Sequence, residues 1–260
     1  MLLTIDVGNT NITLGVYDGE TLAASFRMTT KMQRTSDELG LTISQLLISR
    51  HLDPDKVDAI IISSVVPKIM HSLRNAIRKT WDIEPLIVGP DIKTGIHLHT
   101  DNPKGVGADR IVNTAAAHHM FPGQNCLVLD FGTATTYDYV DADGNFTYTI
   151  IQPGLEISAQ ALFNMAAKLP EVEIQKPASV LGYNTVTGMQ SGIVYGYIGS
   201  VEYIIKKVKE ELQTDFTVIA TGGLGRIIAK ETDMIQFYDV NLAFEGMKIL
   251  YELNQAEENS

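Results

Sequence analysis

One cysteine, Cys126, is all that 260 residues contain, so no intramolecular disulfide can brace the fold and the chain suits a reducing compartment. Cys126 lies in an apolar run just ahead of Asp130 and reads as core rather than as a nucleophile. Positive charge is scarce as well. Twenty Lys and Arg stand against 31 Asp and Glu, a formal charge of −11. That excludes the basic stripe a nucleic-acid or anionic-membrane surface requires, while leaving anionic small molecules open to a local cluster of donors. Long uninterrupted apolar runs are missing. The most apolar long stretch, residues 193–208, carries Glu202, Lys206 and Lys207 and cannot span a bilayer. Met1–Val7 reads as a strand that meets Asp6 at once rather than as a signal segment, so a cytoplasmic setting is expected. Low-complexity segments and the Walker pattern G-x-x-x-x-G-K-[ST] are also absent. What remains is an ordinary globular composition, 45% apolar and 20% charged, long enough for one large domain or two of about 130 residues.

The chain writes one phrase twice, LLTIDVGNTN at Leu2–Asn11 and CLVLDFGTATT at Cys126–Thr136. Each is an apolar strand ending in Asp-x-Gly-x-Thr, followed by a second apolar stretch, and one copy opens each half. A strand ending this way delivers one carboxylate and a tight loop whose glycine lets backbone N–H groups approach an anion. The carboxylates Asp6 and Asp130 could each hold a cation or its water. Two such loops facing each other would grip a nucleotide.

Alternation and turn signals predict strands over residues 2–7, 12–17 and 22–28, with Asp18-Gly19 as a hairpin turn. A helix follows over 36–50, capped by Ser36 and carrying Asp37 and Glu38 in its first turn. The apolar run 57–66 predicts a strand buried on both faces, Pro67 opens a helix to about residue 80, and 85–88 is a further strand. The second half repeats the plan, with strands over 127–130, 137–140 and 146–151, helices over 155–168 and 185–213, a strand over 216–220 and a last helix over 242–254. The tail from Asn254 is expected to fray. Domains are expected over residues 1–118 and 119–260, the second carrying a dimerisation helix. Within the long helix, Gly188, Gly192 and Gly196 recur every fourth residue. That spacing asks for close approach of another backbone, either a twofold helix contact in a homodimer or the chain's own sheet.

Gly107-Ala108-Asp109-Arg110 begins a further helical pattern after the loop Asp101–Lys104. Free N–H groups at a helix start and the Arg110 fork favour a carboxylate or phosphate, and Asp109 is placed to take a proton from a substrate hydroxyl. A capping aspartate beside a surface arginine explains the same residues. His97, His99 and Asp101 alternate and could share a strand face as metal ligands, though loop histidines near a surface are commoner.

These segments together resemble the type III pantothenate kinases, also described as the Bvg accessory factor family. The resemblance is carried by IDVGNTN at Ile5–Asn11, ISSVVP at Ile62–Pro67, DNPKGVGADRIVN at Asp101–Asn113 and DFGTATT at Asp130–Thr136. PGLEIS at Pro153–Ser158, AAKLP at Ala166–Pro170, Asn184-Thr185, QSGI at Gln190–Ile193 and ATGG at Ala220–Gly223 add to it. It implies an α/β fold of duplicated ribonuclease H-like domains of the actin/Hsp70/sugar-kinase type, with mixed five-stranded sheets flanked by helices. It implies ATP-dependent phosphorylation of pantothenate with Mg²⁺ and a monovalent cation, K⁺ or NH₄⁺, in a homodimer.

Carried over by position, Asp6, Val7, Gly8, Asn9, Thr10, Asn11, Ile12 and Thr13 match the first phosphate loop, with Asp6 placing Mg²⁺ through water. Gly132 and Thr133 match the second phosphate contact, and Gly222 and Gly223 would lie by the adenosine. Asp109 matches the base, while Thr100, Gly107, Ala108 and Arg110 match the pantothenate site. Asp130 matches the monovalent-cation ligand, and Thr185 a substrate contact from the neighbouring subunit. Two positions depart from the family pattern. Thr100 stands where members carry tyrosine, and Tyr148-Thr149 where they carry Gly-Gly. Both departures predict a changed acceptor pocket more than a change at the nucleotide. An impaired homologue with an interaction role, or a kinase for another small hydroxyl acceptor, are the alternatives.

Overall fold

The computed structural model of the chain describes residues 1–89 and 91–255. Residues 256–260, most of the tail expected to fray, lie outside the described residues. The chain forms two units, residues 1–119 joined by the segment from Leu242 onward, and residues 120–241.

In the first unit β1 (Leu2–Val7), β2 (Asn11–Asp18), β3 (Thr21–Thr29), β4 (Ala59–Ser64) and β5 (Leu86–Ile87) make a mixed sheet in the order β3-β2-β1-β4-β5. β1 runs antiparallel to β2 and parallel to β4. Ala59–Ile62 are all buried, as the apolar run requires of a central strand. α1 (Ser36–Ser49) and α2 (Pro67–Trp81) cover one face. They bury Leu39, Ile43, Leu47, Leu73, Ala76 and Ile77 against Leu3, Ile5 and Val7, each full Leu or Ile burial contributing about 1.5–3 kcal/mol. The α1 cap is Thr35, not the expected Ser36. Thr35 Oγ1 accepts the Glu38 amide at 3.3 Å while Glu38 Oε2 accepts the Thr35 amide at 2.7 Å, a reciprocal pair that needs Glu at the third helical position. A two-residue strand β6 (His97–Leu98) and α3 (Ala108–Met120) follow.

The second unit holds β7 (Cys126–Phe131), β8 (Ala134–Val140), β9 (Asn145–Pro153), β10 (Thr217–Thr221) and β11 (Phe237–Tyr238), with α4 (Leu155–Met165), α5 (Thr185–Leu212) and α6 (Gly225–Ala229). The order β9-β8-β7-β10-β11 repeats that of the first unit strand for strand, with the same directions around β7 as around β1. α5 buries Val194, Tyr197, Val201 and Ile205 against Leu127, Leu129 and Phe131. Its start is closed by a reciprocal cap in which Asn184 Oδ1 accepts the Thr187 amide at 2.9 Å.

The last helix, α7 (Leu242–Gln255), was expected with the second half; it packs instead on β1 and β4 of the first unit. Its Phe244 lies where a Cβ on Gly15 would be, 2.8 Å from the ring, so β2 needs glycine there. Tyr17 donates to Glu245 at 2.7 Å, and Lys248 pairs with Glu20. Asn254, far from frayed, accepts the Lys93 amide at 3.0 Å and donates to its carbonyl at 2.9 Å.

Candidate active site

Parallel pairing brings Asp6, at the end of β1, level with Ser63 at the end of β4. The buried Ser63 hydroxyl donates to Asp6 Oδ1 at 3.0 Å. The loop beyond Asp6 is tight and well tied: the Gly8 amide donates to Asn11 O at 2.9 Å, Thr30 Oγ1 to Gly8 O at 2.7 Å, and the Thr30 amide to Thr10 O at 3.0 Å. The Val65 amide donates to Val7 O at 3.1 Å, so the β4 end closes over the β1 end.

The start of α3 meets this edge. A Cβ on Gly107 would lie 3.3 Å from Val65 and 2.5 Å from Asp109 Oδ1, so a side chain there would push the Asp109 carboxylate aside. Asp109, in the first turn, accepts the Arg110 amide at 2.8 Å. Its carboxylate is felt at Asp6, whose own carboxyl rises from an ordinary 3.8 to about 7. Burial is the larger cause, repulsion from Asp109 the second, and the Ser63 hydrogen bond pulls the other way. Two carboxylates that repel one another, one at a strand end and one in a helix's first turn, form an electrostatic sink that a divalent cation relieves. The donor set of oxygens fits magnesium. Thr100 is half-buried, and its hydroxyl is enclosed with no hydrogen-bond partner in the structure.

The second unit builds a parallel assembly around Asp130. The Gly132 amide donates to Ala134 O at 3.1 Å and the Gly154 amide to Thr133 O at 3.1 Å. A Cβ on Gly154 would stand 2.4 Å from the carbonyls of both Gly132 and Thr133, so the Pro153-Gly154 turn presses directly on the loop. Gly222 adopts φ +93° and a Cβ there would collide with the Phe131 backbone at 2.6 Å, while Tyr238 donates to its carbonyl at 2.9 Å. The Gly222-Gly223 loop is thus drawn against the end of β7. Thr185 is exposed at the first turn of α5.

The expected residues therefore gather in two groups, Asp6–Thr13 with Gly107–Arg110 in one unit, and Asp130, Gly132, Thr133, Gly222 and Gly223 in the other. Ser63 and Gly154 lie inside segments that carry the resemblance but were assigned no role, and Tyr197, which donates to Pro153 O at 3.0 Å, was not singled out. The histidine site is not assembled. His97 and His99 meet edge to face at 6.4 Å, and among the described residues no three His, Cys, Asp or Glu side chains gather to hold a metal. Tyr148 and Thr149 lie in mid-strand, Tyr148 beside the Tyr139 ring and Thr149 donating to the buried Asp138 at 2.8 Å.

A family profile described as type III pantothenate kinase matches residues 2–207. The chain belongs to the type III pantothenate kinase family. A curated relative from Agathobacter rectalis, named type III pantothenate kinase, is 54% identical over 252 residues, 96% of each chain. Among solved structures, a conserved Campylobacter jejuni protein of the Baf family, described as a transcriptional activator, aligns over 98% of this chain and 99% of its own, with TM-score 0.60 and 20% identity. MreB 5 of Spiroplasma citri bound to AMPPNP aligns over 99% and 98%, with TM-score 0.56 and 11% identity. At those identities the structures establish the fold, duplicated ribonuclease H-like units of the actin/Hsp70/sugar-kinase type. As a kinase family, type III pantothenate kinases work with ATP and a divalent metal. Among the described residues no helix is long and apolar enough to cross a membrane.

Proposed function

We propose that the protein transfers the γ-phosphoryl group of ATP to the primary hydroxyl of pantothenate, giving 4′-phosphopantothenate and ADP, the first step toward coenzyme A. The observation that carries this is family membership over most of the chain, joined to an interacting aspartate pair, Asp6 at the end of β1 and Asp109 at the start of α3. Phosphoryl transfer needs in-line positioning and charge neutralisation more than covalent help. The amides and hydroxyls of Asp6–Thr13 and of Gly132–Thr133 would hold the phosphates, with Gly222 and Gly223 by the adenosine. Asp6 would hold Mg²⁺ through water, and the ion would supply neutralisation of phosphate charge. Arg110, Gly107, Ala108 and Thr100 would orient pantothenate. Asp109 would accept the hydroxyl proton as the new O–P bond forms and the bond from phosphorus to the bridging oxygen breaks, releasing ADP. Asp130 would ligate K⁺ or NH₄⁺.

The functional unit we infer is a homodimer in the cytoplasm, with Thr185 reaching the partner's pantothenate. Supporting it, a Cβ on Gly192 or Gly196 would meet nothing within 4 Å among the described residues, whereas Gly188 is approached by the chain's own Gly182. Exposed apolar side chains also concentrate in the same unit, Tyr148, Ile151, Met165, Leu181 and Tyr183 among them. Gly192→Leu should yield monomers by sedimentation without lowering the melting temperature of the monomer; dimers of unchanged strength would remove the stripe from the interface.

The kinase itself is tested by ADP release with ATP, Mg²⁺ and K⁺, with and without pantothenate, beside Asp109→Asn. Pantothenate-dependent release that vanishes in the variant supports the reaction and the role of Asp109. Nucleotide binding with no pantothenate-dependent release would point to another acceptor or an impaired homologue.

A further inference from the structure

We propose that Ser63 is a positioning residue for phosphoryl transfer, fixing the Asp6 carboxylate in the orientation that serves the divalent metal of the nucleotide. This rests on the reading that Asp6 serves Mg²⁺. Three features of the first unit carry it. Ser63 is the register partner of Asp6 across the parallel β1–β4 pair, so both side chains leave the same face of the sheet at the same level. Its hydroxyl donates to Asp6 Oδ1 at 3.0 Å and is wholly shielded from solvent, so water cannot compete for that bond. And the β4 end is wedged between the end of β1, through the Val65 amide on Val7 O, and the start of α3, through Val65 against Gly107.

A terminal carboxylate rotates about a soft torsion. Beside a second carboxylate it would turn away from its neighbour and scatter its lone pairs. A neutral hydroxyl donor is suited to prevent this. It engages one oxygen, adds no charge to compete with a cation, and leaves the other oxygen to face the metal's water. A lysine or arginine in its place would pair with Asp6 and blunt the attraction for Mg²⁺.

The test measures nucleotide affinity by calorimetry twice for each protein, with ATP in excess Mg²⁺ and with ATP in EDTA. The ratio of the two constants reports how much the metal adds. In Ser63→Ala the ratio should fall about tenfold, the scale expected of a lost hydrogen bond to a charged group. Ser63→Thr, which keeps a hydroxyl on the same carbon, should hold the ratio within about twofold. Thr4→Ala removes another buried hydroxyl of the same sheet, one that donates to Gly15 O, and should lower the melting temperature while leaving the ratio unchanged. In the kinase assay Ser63→Ala should raise the Mg²⁺ requirement and leave the pantothenate KM alone. An unchanged ratio in Ser63→Ala, beside a lost one in Asp6→Asn, overturns the positioning role by itself. A ratio that survives Asp6→Asn as well overturns the reading of Asp6, and this inference with it.

Discussion

The two units share a strand order and a phrase, yet they treat their aspartates differently. In the first, four residues, Gly8 to Asn11, separate the paired positions Val7 and Ile12; in the second, three residues, Gly132 to Ala134, separate Phe131 and Thr135. The longer loop is tied by Thr30, the residue just beyond β3, through its hydroxyl and its amide. The shorter loop is clamped from outside by a glycine turn, at Gly154. Beside Asp6 stand a serine and a second acid; beside Asp130 the parallel neighbour is Thr221, followed by the glycine loop that doubles back onto Phe131. The lesson is that the two units keep the same strands and strand-end carboxylate while what meets that carboxylate differs. One copy set a second carboxylate near its aspartate. The other became a backbone cradle of carbonyls and amides.

The sharpest break in this comparison is Asp109→Asn, which removes the acid that has joined Asp6. Turnover with pantothenate should fall about 10²–10⁴-fold while ATP binding is kept. Equal loss of both would return Asp109 to a structural role. Next comes the clamp. Gly154→Ala must displace two carbonyls and should cost about 3 kcal/mol by chemical denaturation, at the top of the overpacking range. Gly8→Ala, whose Cβ would lie 3.2 Å from one carbonyl, should cost less than about 1 kcal/mol. Similar costs would mean that the two loops are held alike.

A third measurement is thermal stability against pH without nucleotide. The folded protein holds the Asp6 proton up to about pH 7, whereas the unfolded chain releases it near 3.8, so stability falls as pH rises through that window and levels off above it. Asp6→Asn should therefore gain in melting temperature over wild type from about pH 5 to pH 7, with a constant gain at higher pH. A gain that ignores pH would show that the carboxyl is not strained by folding. The smallest effect belongs to the cap: Thr35→Ala should cost about 1 kcal/mol and Ser36→Ala almost nothing.

Much of the fold was legible because its signals are local. Alternation, the Asp18-Gly19 turn and the all-apolar stretch before Ser63 set most of the longer strands to within a few residues, and the doubled Asp-x-Gly-x-Thr marked both loops. Short pieces such as α6 and β11 were not legible, since five and two residues carry no period. Thr35 and Ser36 are adjacent hydroxyls, and only the reach of Glu38 decides between them. Ser63 was hidden because its meeting with Asp6 is set by the register of two strands that a hairpin and a helix separate in the sequence. Spacing alone left the glycine stripe open between a second copy of the chain and the chain's own sheet. The amphipathic α7 would suit either sheet, and nothing in its own sequence says which.

That last helix has a consequence for how the protein is made. The first unit is translated early, but Gly15 waits for Phe244, Tyr17 for Glu245, and Lys93 for Asn254. A nascent chain leaving the ribosome can complete the second unit before the first, although domains usually finish in the order of synthesis. Trimming the far end of the chain would then wound the half that was translated first.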